Sequence, residues 1–229
     1  MIKIMVVDDY LPTLNRITNH IRHQKGYEII ATAADGFDLL KFCYQEKVLP
    51  DIVLLDVLMP KLDGVTTMDY LNTYFPAIKV IGVSSFEIEQ VVTDMLSSGA
   101  WGYVFKDKGL DILTEALASV IAGRPYVDPR LSFDASQRTV LMQKRQEEKD
   151  GLYKQLGLSA REKELLGLIV STMDYHEIGE LLNIAPKTIE NTIHSINQKM
   201  GVTNGRSGLL MHSIRLGLSK MMNLRSLKN

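Results

Sequence analysis

Five residues of this chain could together handle a phosphoryl group: Asp8, Asp9, Asp56, Ser84 and Lys106. Each stands at the end of a short apolar run. Ile2 to Val7, interrupted only by Lys3, ends in Asp8-Asp9, and Ile52 to Leu55 ends in Asp56. Ile78 to Val83 ends in Ser84-Ser85, and Gly102 to Phe105 ends in Lys106. Apolar runs of this length without alternation suit strands buried on both faces, as in a parallel sheet. In open parallel sheets the ligand crevice lies beyond the carboxyl ends of the strands, so the five side chains are expected at one edge. Three neighbouring carboxylates repel one another unless a hard cation neutralises them. Mg²⁺ suits them, because it takes oxygen ligands and keeps some of its waters. A metal and an ammonium on phosphoryl oxygens, a hydroxyl on another and Asp56 as nucleophile make a phosphoryl acceptor.

The stretches between these runs supply the elements that must position them. Leu11, Leu14, Ile17 and Ile21 recur at helical spacing, with Pro12 suited to a first turn. Tyr27 to Ala33 reads as a strand and Asp35 to Gln45 as a helix. Val65, Met68, Leu71 and Phe75 mark the next helix, which Pro76 ends. Ile88, Val91, Val92, Met95 and Leu96 mark a fourth, closed by Gly99; Leu110, Leu113, Leu117, Val120 and Ile121 mark a fifth, closed by Gly123. Five β-α units predict an α/β doubly wound, flavodoxin-like domain over residues 1–127, with a five-stranded parallel sheet and helices on both faces.

Residues 128–157 differ: Pro129 breaks the chain, and Gln137 to Asp150 is strongly charged with no sustained apolar stripe. A partly helical linker is expected there. From Leu158 the pattern is all helical, predicting a small all-α domain over 158–229. Ser159 and Glu162 form a capping-box pattern, repeated by Asp174 and Glu177. After the turn Asn183-Ile184-Ala185, Pro186 opens a helix with Ile189, Ile193, Ile196 and Met200 on one face, and Gly201 closes it. A last helix is expected from about Gly205 to Leu216. Two short helices joined by a tight turn, the second apolar inside and polar outside, are helix-turn-helix anatomy. Lys187, Thr188, Asn191 and His194 fall on the outer side of the second helix, where such proteins reach bases or phosphates.

In that order, Asp8-Asp9, Asp56, Ser84 and Lys106 resemble the receiver domain of bacterial response regulators. Leu158-Ser159-Ala160-Arg161-Glu162, Glu177-Ile178-Gly179, Lys187-Thr188-Ile189-Glu190 and Lys199-Met200-Gly201-Val202 resemble the LuxR/NarL (FixJ) type of helix-turn-helix. The joint resemblance implies a two-component transcription factor. It implies Mg²⁺ held by Asp9, Asp56 and the backbone carbonyl of Leu58, with Asp8 assisting, and a product stabilised by Lys106. It also implies a switch pair, Ser84 and Tyr103. A sensor histidine kinase would be the donor, homodimerisation would follow phosphorylation, and double-stranded DNA would be the target. Lys199 joins the DNA-contact set, and Leu209, Leu210, Ile214 and Leu216 form the candidate dimer surface. Three residues depart from the family's common pattern: Ala185 as a weak cap, Thr192 where His is common, and Glu190 where Lys is common. Leu58 and Phe86, which would flank the attack of water on the phosphoryl group, are both apolar, so a long-lived phosphorylated state is expected.

Composition agrees with a two-part chain. Residues 1–127 carry 11 Lys and Arg against 16 Asp and Glu, a net of −5. Residues 158–229 carry 9 against 6, a net of +3, so only the back half is drawn to a polyanion. The single cysteine, Cys43, excludes an intramolecular disulfide and reads as a buried small hydrophobe. No apolar run reaches transmembrane length and no signal peptide is evident, so a cytoplasmic regulator with no membrane partner, and not an enzyme, is expected. Two other readings of the same residues fit less well. An aspartyl-phosphate phosphatase of the haloacid dehalogenase type needs an acid where Leu58 stands. A regulator that works without phosphorylation would not need the acceptor set intact.

Overall fold

The computed structural model describes residues 1–85, 88–106, 109–131, 133–169, 171–203 and 205–216, with backbone alone at 214 and 215. The chain divides into two compact units between Arg145 and Gln146.

The first unit alternates strand and helix: β1 (Ile2–Val7), α1 (Leu11–Arg22), β2 (Tyr27–Ala33), α2 (Gly36–Gln45), β3 (Ile52–Asp56), α3 (Gly64–Tyr74), β4 (Lys79–Ser84), α4 (Glu89–Ser97), β5 (Gly102–Phe105), α5 (Asp111–Ile121) and β6 (Tyr126–Val127). The strands form one sheet in the order β2-β1-β3-β4-β5-β6, and every pairing is parallel. This is the doubly wound plan, with one correction: six strands, not five. The added β6 is two residues long, too short for any periodicity, and lies between Pro125 and Pro129.

All five residues of β3 are buried, as a continuous apolar run requires. Ile4, Val6, Ile52, Leu54, Ile81, Val83 and Val104 from four strands pack with Ile17 and Ile21 of α1 and Leu113, Leu117 and Val120 of α5. Each such side chain stabilises the fold by roughly 1.5–3 kcal/mol through burial. Caps fix where helices begin. The Asp35 carboxylate accepts from the Asp38 amide at 2.9 Å, and that of Asp63 from the Thr66 amide at 3.0 Å.

A short turn over Ala135–Gln137 leads into α6 (Arg138–Gln155), an 18-residue helix. Its first turns are tied to the first unit. The Arg138 guanidinium donates to the carbonyls of Ala100 and Gly99 at 2.7 and 2.6 Å and stacks on Trp101 at 4.4 Å. Arg145 pairs with Asp69 of α3 at 2.7 Å. Periodicity missed this docking because it is made by guanidiniums and not by an apolar stripe.

The second unit holds α7 (Ala160–Ile169), α8 (Tyr175–Leu182), α9 (Pro186–Met200) and α10 (Gly205–Arg215). Leu165, Leu166, Leu168, Ile178, Ile189, Ile193, Ile196, Met200 and Leu209 are its buried centre. The capping box expected of Asp174 and Glu177 is present at the start of α8. Asn183 closes α8 in the left-handed conformation (φ 52°), and Ala185 at the start of α9 makes no side-chain cap. Among the described residues no helix is long and apolar enough to cross a membrane.

Candidate functional site

The carboxyl ends of β1, β3 and β5 bring Asp8, Asp9, Asp56 and Lys106 together. The parallel register makes this happen: Val7 pairs with Leu55, so the acids that follow emerge side by side. One oxygen from each of Asp8, Asp9 and Asp56 lies within 4.8 Å of the others. The Lys106 ammonium sits between two of them, 2.7 Å from Asp8 Oδ2 and 2.9 Å from Asp56 Oδ2, with all three side chains buried. Asp56 Oδ1 accepts the Val57 amide at 2.7 Å, and Asp8 Oδ1 accepts the Tyr10 amide at 2.9 Å. Burial pushes the Asp56 carboxyl up to about 6, with Lys106 pulling the other way. Asp9 is exposed and leaves the cluster open to solvent.

The donor set fits a divalent cation. It consists of hard oxygens, and three carboxylates against one ammonium leave two negative charges. Leu58, in the loop after β3, is buried at 7% exposure, and its carbonyl belongs to the expected ligand set. That loop is packed closely: a Cβ on Gly64, the first residue of α3, would lie 2.4 Å from the Asp56 carbonyl oxygen, so only glycine fits.

Ser84 and Tyr103, on the neighbouring strands β4 and β5, are both fully buried, and burial raises the Tyr103 phenol. The neighbouring Ser85 is exposed, which separates the two hydroxyls that sequence left adjacent. The Tyr103 ring meets Phe105 edge-on at 5.8 Å between centroids. Phe86 lies outside the described residues. Arg16 of α1 was not found by sequence, yet its guanidinium donates to the Lys106 carbonyl at 2.5 Å; a lone exposed arginine on a helix gives no signal of such a partner. Cys43 is buried, and its thiol is pushed up to about 12 by burial, as an inert core residue should be.

In the second unit, Lys187, Thr188, Asn191 and His194 are exposed along α9, opposite the buried Ile189, Ile193 and Ile196. Lys187 pairs with Glu190 at 2.7 Å, both exposed, a contact of the weak surface kind. Lys199 is exposed as well, near the end of α9. Its ammonium bonds Glu162 Oε2 at 2.6 Å and the Gly157 carbonyl at 2.9 Å, so it ties α9 to α7 inside the unit. Arg206 is likewise turned inward, onto the carbonyls of Ile169 and Ser171 after α7. Leu209 is fully buried in its own unit. Leu210 and Leu216 are half-buried, and the side chain of Ile214 lies outside the described residues.

Comparison with known proteins accounts for both units. Residues 4–118 match the response regulator receiver domain, and residues 156–211 match the family described as bacterial regulatory proteins, luxR family. The chain is 31% identical over 229 residues to the transcriptional regulatory protein DegU of Brevibacillus brevis, covering 96% of each chain. It is 30% identical over 204 residues to the response regulator GacA of Pseudomonas aeruginosa, covering 89% of this chain and 92% of that one. Among solved structures, RcsB of Salmonella enterica serovar Typhimurium bound to promoter rprA in the presence of phosphomimetic BeF₃⁻ has a similar fold. Its TM-score is 0.51 at 22% identity, covering 93% of this chain and 98% of that one. A receiver model over half the chain, a luxR-family model over residues 156–211 and a relative at this identity along 96% of the chain leave one conclusion: the chain belongs to the response regulators that join a receiver domain to a LuxR-type helix-turn-helix domain.

Proposed function

We propose that this protein is a phosphorylation-controlled transcriptional regulator in which Asp56 is the phosphoacceptor and α9 the DNA-reading helix. The observation that carries the reading is the buried Asp56 carboxylate, flanked by two further acids and bonded to a buried ammonium at one sheet edge. An Asp56 oxygen attacks phosphorus as the bond from phosphorus to the donor's imidazole nitrogen breaks, and the imidazole leaves with the electron pair. Lys106 moves from a carboxylate partner to a phosphoryl oxygen and offsets its charge. Asp9, Asp56 and the Leu58 carbonyl, with Asp8, would hold Mg²⁺, which when bound screens the negative charge of acceptor and phosphoryl group. The Ser84 hydroxyl would take a second phosphoryl oxygen, with the buried Tyr103 of the neighbouring strand as the aromatic partner of the switch.

The receiver then favours a homodimer, and two paired second units meet a DNA element with two half-sites. Pairing matters because, among the described residues, Lys199 and Arg206 bond within their own unit and Lys187 faces Glu190. Two weak contacts joined in one molecule gain avidity. Support for DNA as the target comes from the names of the relatives and from the promoter-bound RcsB likeness.

The test is labelling by acetyl phosphate with Mg²⁺, read by intact mass. Wild type should gain one phosphoryl group and Asp56→Asn none, with circular dichroism unchanged. Labelling of Asp56→Asn would move the acceptor elsewhere. A wild type that is never labelled yet binds DNA would favour a regulator independent of phosphorylation.

A further inference from the structure

The end of β5 is held on one side by a side chain that takes the place of a strand. β5 and β6 pair Gly102 with Tyr126 and Tyr103 with Val127, and the Asp128 amide donates to the Tyr103 carbonyl at 2.9 Å. One step further along this ladder the Phe105 amide would meet the main-chain carbonyl of Asp128. It donates instead to the Asp128 carboxylate, with Oδ2 at 3.3 Å. Pro129 follows and turns the chain out of the sheet, and the Arg130 amide donates to Asp128 Oδ1 at 3.1 Å. The carboxylate is fully buried, and the Arg130 fork matches its charge, with Nε 2.7 Å from Oδ1 and a second nitrogen on Oδ2. The same guanidinium lies 4.7 Å from the centre of the Phe105 ring.

Lys106 is the next residue. Its amide donates to the Ser84 carbonyl at 2.9 Å, which fixes it to β4, and Arg16 holds its carbonyl from α1. The bond from Phe105 to Asp128 is the restraint on the remaining side. Lysine's four-carbon stem is flexible, so the point from which the ammonium reaches Asp8 and Asp56 is set by this backbone.

We propose that Asp128, with its charge matched by Arg130, is a positioning residue for Lys106: it completes the β5 ladder with its side chain and so keeps the ammonium between Asp8 and Asp56. The kinetic arm of the test rests on the reading of Asp56 as acceptor; the metal-binding arm does not.

The Lys106 ammonium and Mg²⁺ compete for the same carboxylates. If Asp128→Ala loosens Lys106, Mg²⁺ binding measured by calorimetry should tighten, by about threefold from the reduced charge repulsion. Labelling by acetyl phosphate should slow by about tenfold, because a displaced ammonium no longer meets the phosphoryl oxygens. A general loosening of the fold would instead spread the three acids and weaken Mg²⁺ binding. In a Lys106→Met background, Asp128→Ala should change neither quantity. Arg130→Gln, which keeps the carboxylate, should give the same two shifts at smaller size, and it carries the test should Asp128→Ala not fold. Weaker Mg²⁺ binding, or equal fold-changes with and without Lys106, overturns the proposal. A wild type that is not labelled overturns the acceptor reading and leaves the Mg²⁺ measurements to decide this one.

Discussion

Single carboxylates do opposite work in the two units, and their surroundings decide which. Asp56 is raised because burial outweighs one ammonium. Glu162 is also buried, which alone would raise it, yet bonds from Lys199, Ser195, the Ser159 amide and the Ser159 hydroxyl hold it down at about 2. Sequence identified Glu162 only as the partner of Ser159 in a capping box. In the fold it also receives Ser195 at 2.7 Å and Lys199 at 2.6 Å from α9, and so fixes that helix on α7. A depressed carboxyl stabilises the folded state fully above its ordinary value of 4.5 and loses that contribution as pH falls toward 2. The melting temperature of the second unit should therefore drop between pH 5 and 2 on this account. Glu162→Gln should cost roughly 1–2 kcal/mol at neutral pH and flatten that drop. An unchanged slope in the mutant would show that other groups govern the acid transition.

At the scale of elements, α9 combines two faces with separate tasks. Ile189, Ile193, Ile196 and Met200 bury the inner face, and the outer face keeps Lys187, Thr188, Asn191 and His194 exposed. Because these four make no contribution to the core, their substitution should leave the fold alone. Lys187→Ala and Asn191→Ala should each weaken DNA binding, by about 1–3 kcal/mol if the side chain reads a base. Loss of a phosphate contact at Lys187 should also reduce the slope of affinity against salt by about one. Fluorescence anisotropy over a salt series measures both. Unchanged affinity in both variants would remove α9 from the interface.

The whole molecule is two compact units divided within α6, each with its own buried centre. The four helices of the second unit close around their own leucines and isoleucines, and Leu209 is spent there. A fragment starting near Leu158 should thus fold alone, with a cooperative thermal transition. With Leu209 buried and Leu210 and Leu216 half-buried, the fragment should sediment as a monomer or weak dimer. A tight dimer at low micromolar concentration would contradict control of pairing by the receiver.

Much of this could be read from the sequence because the relevant physics is local or periodic. Apolar runs that end in Asp8, Asp56, Ser84 and Lys106 define parallel strands, and the fixed register of such a sheet delivers whatever follows them to one edge. The helix at α9 announced itself by period, by Pro186 and by Gly201. What the sequence left open depends on partners distant along the chain. No spacing pairs Arg16 with Lys106, Asp128 with Phe105, Arg138 with Gly99 and Ala100, or Lys199 with Glu162. The distinctions between Ser84 and Ser85, and between Leu209 facing inward and Leu210 partly outward, were likewise decided by packing. Hydrophobic period specifies which face of an element is buried, but a polar side chain's partner is whichever group the finished fold leaves within about 3 Å of it, and only tertiary structure decides that.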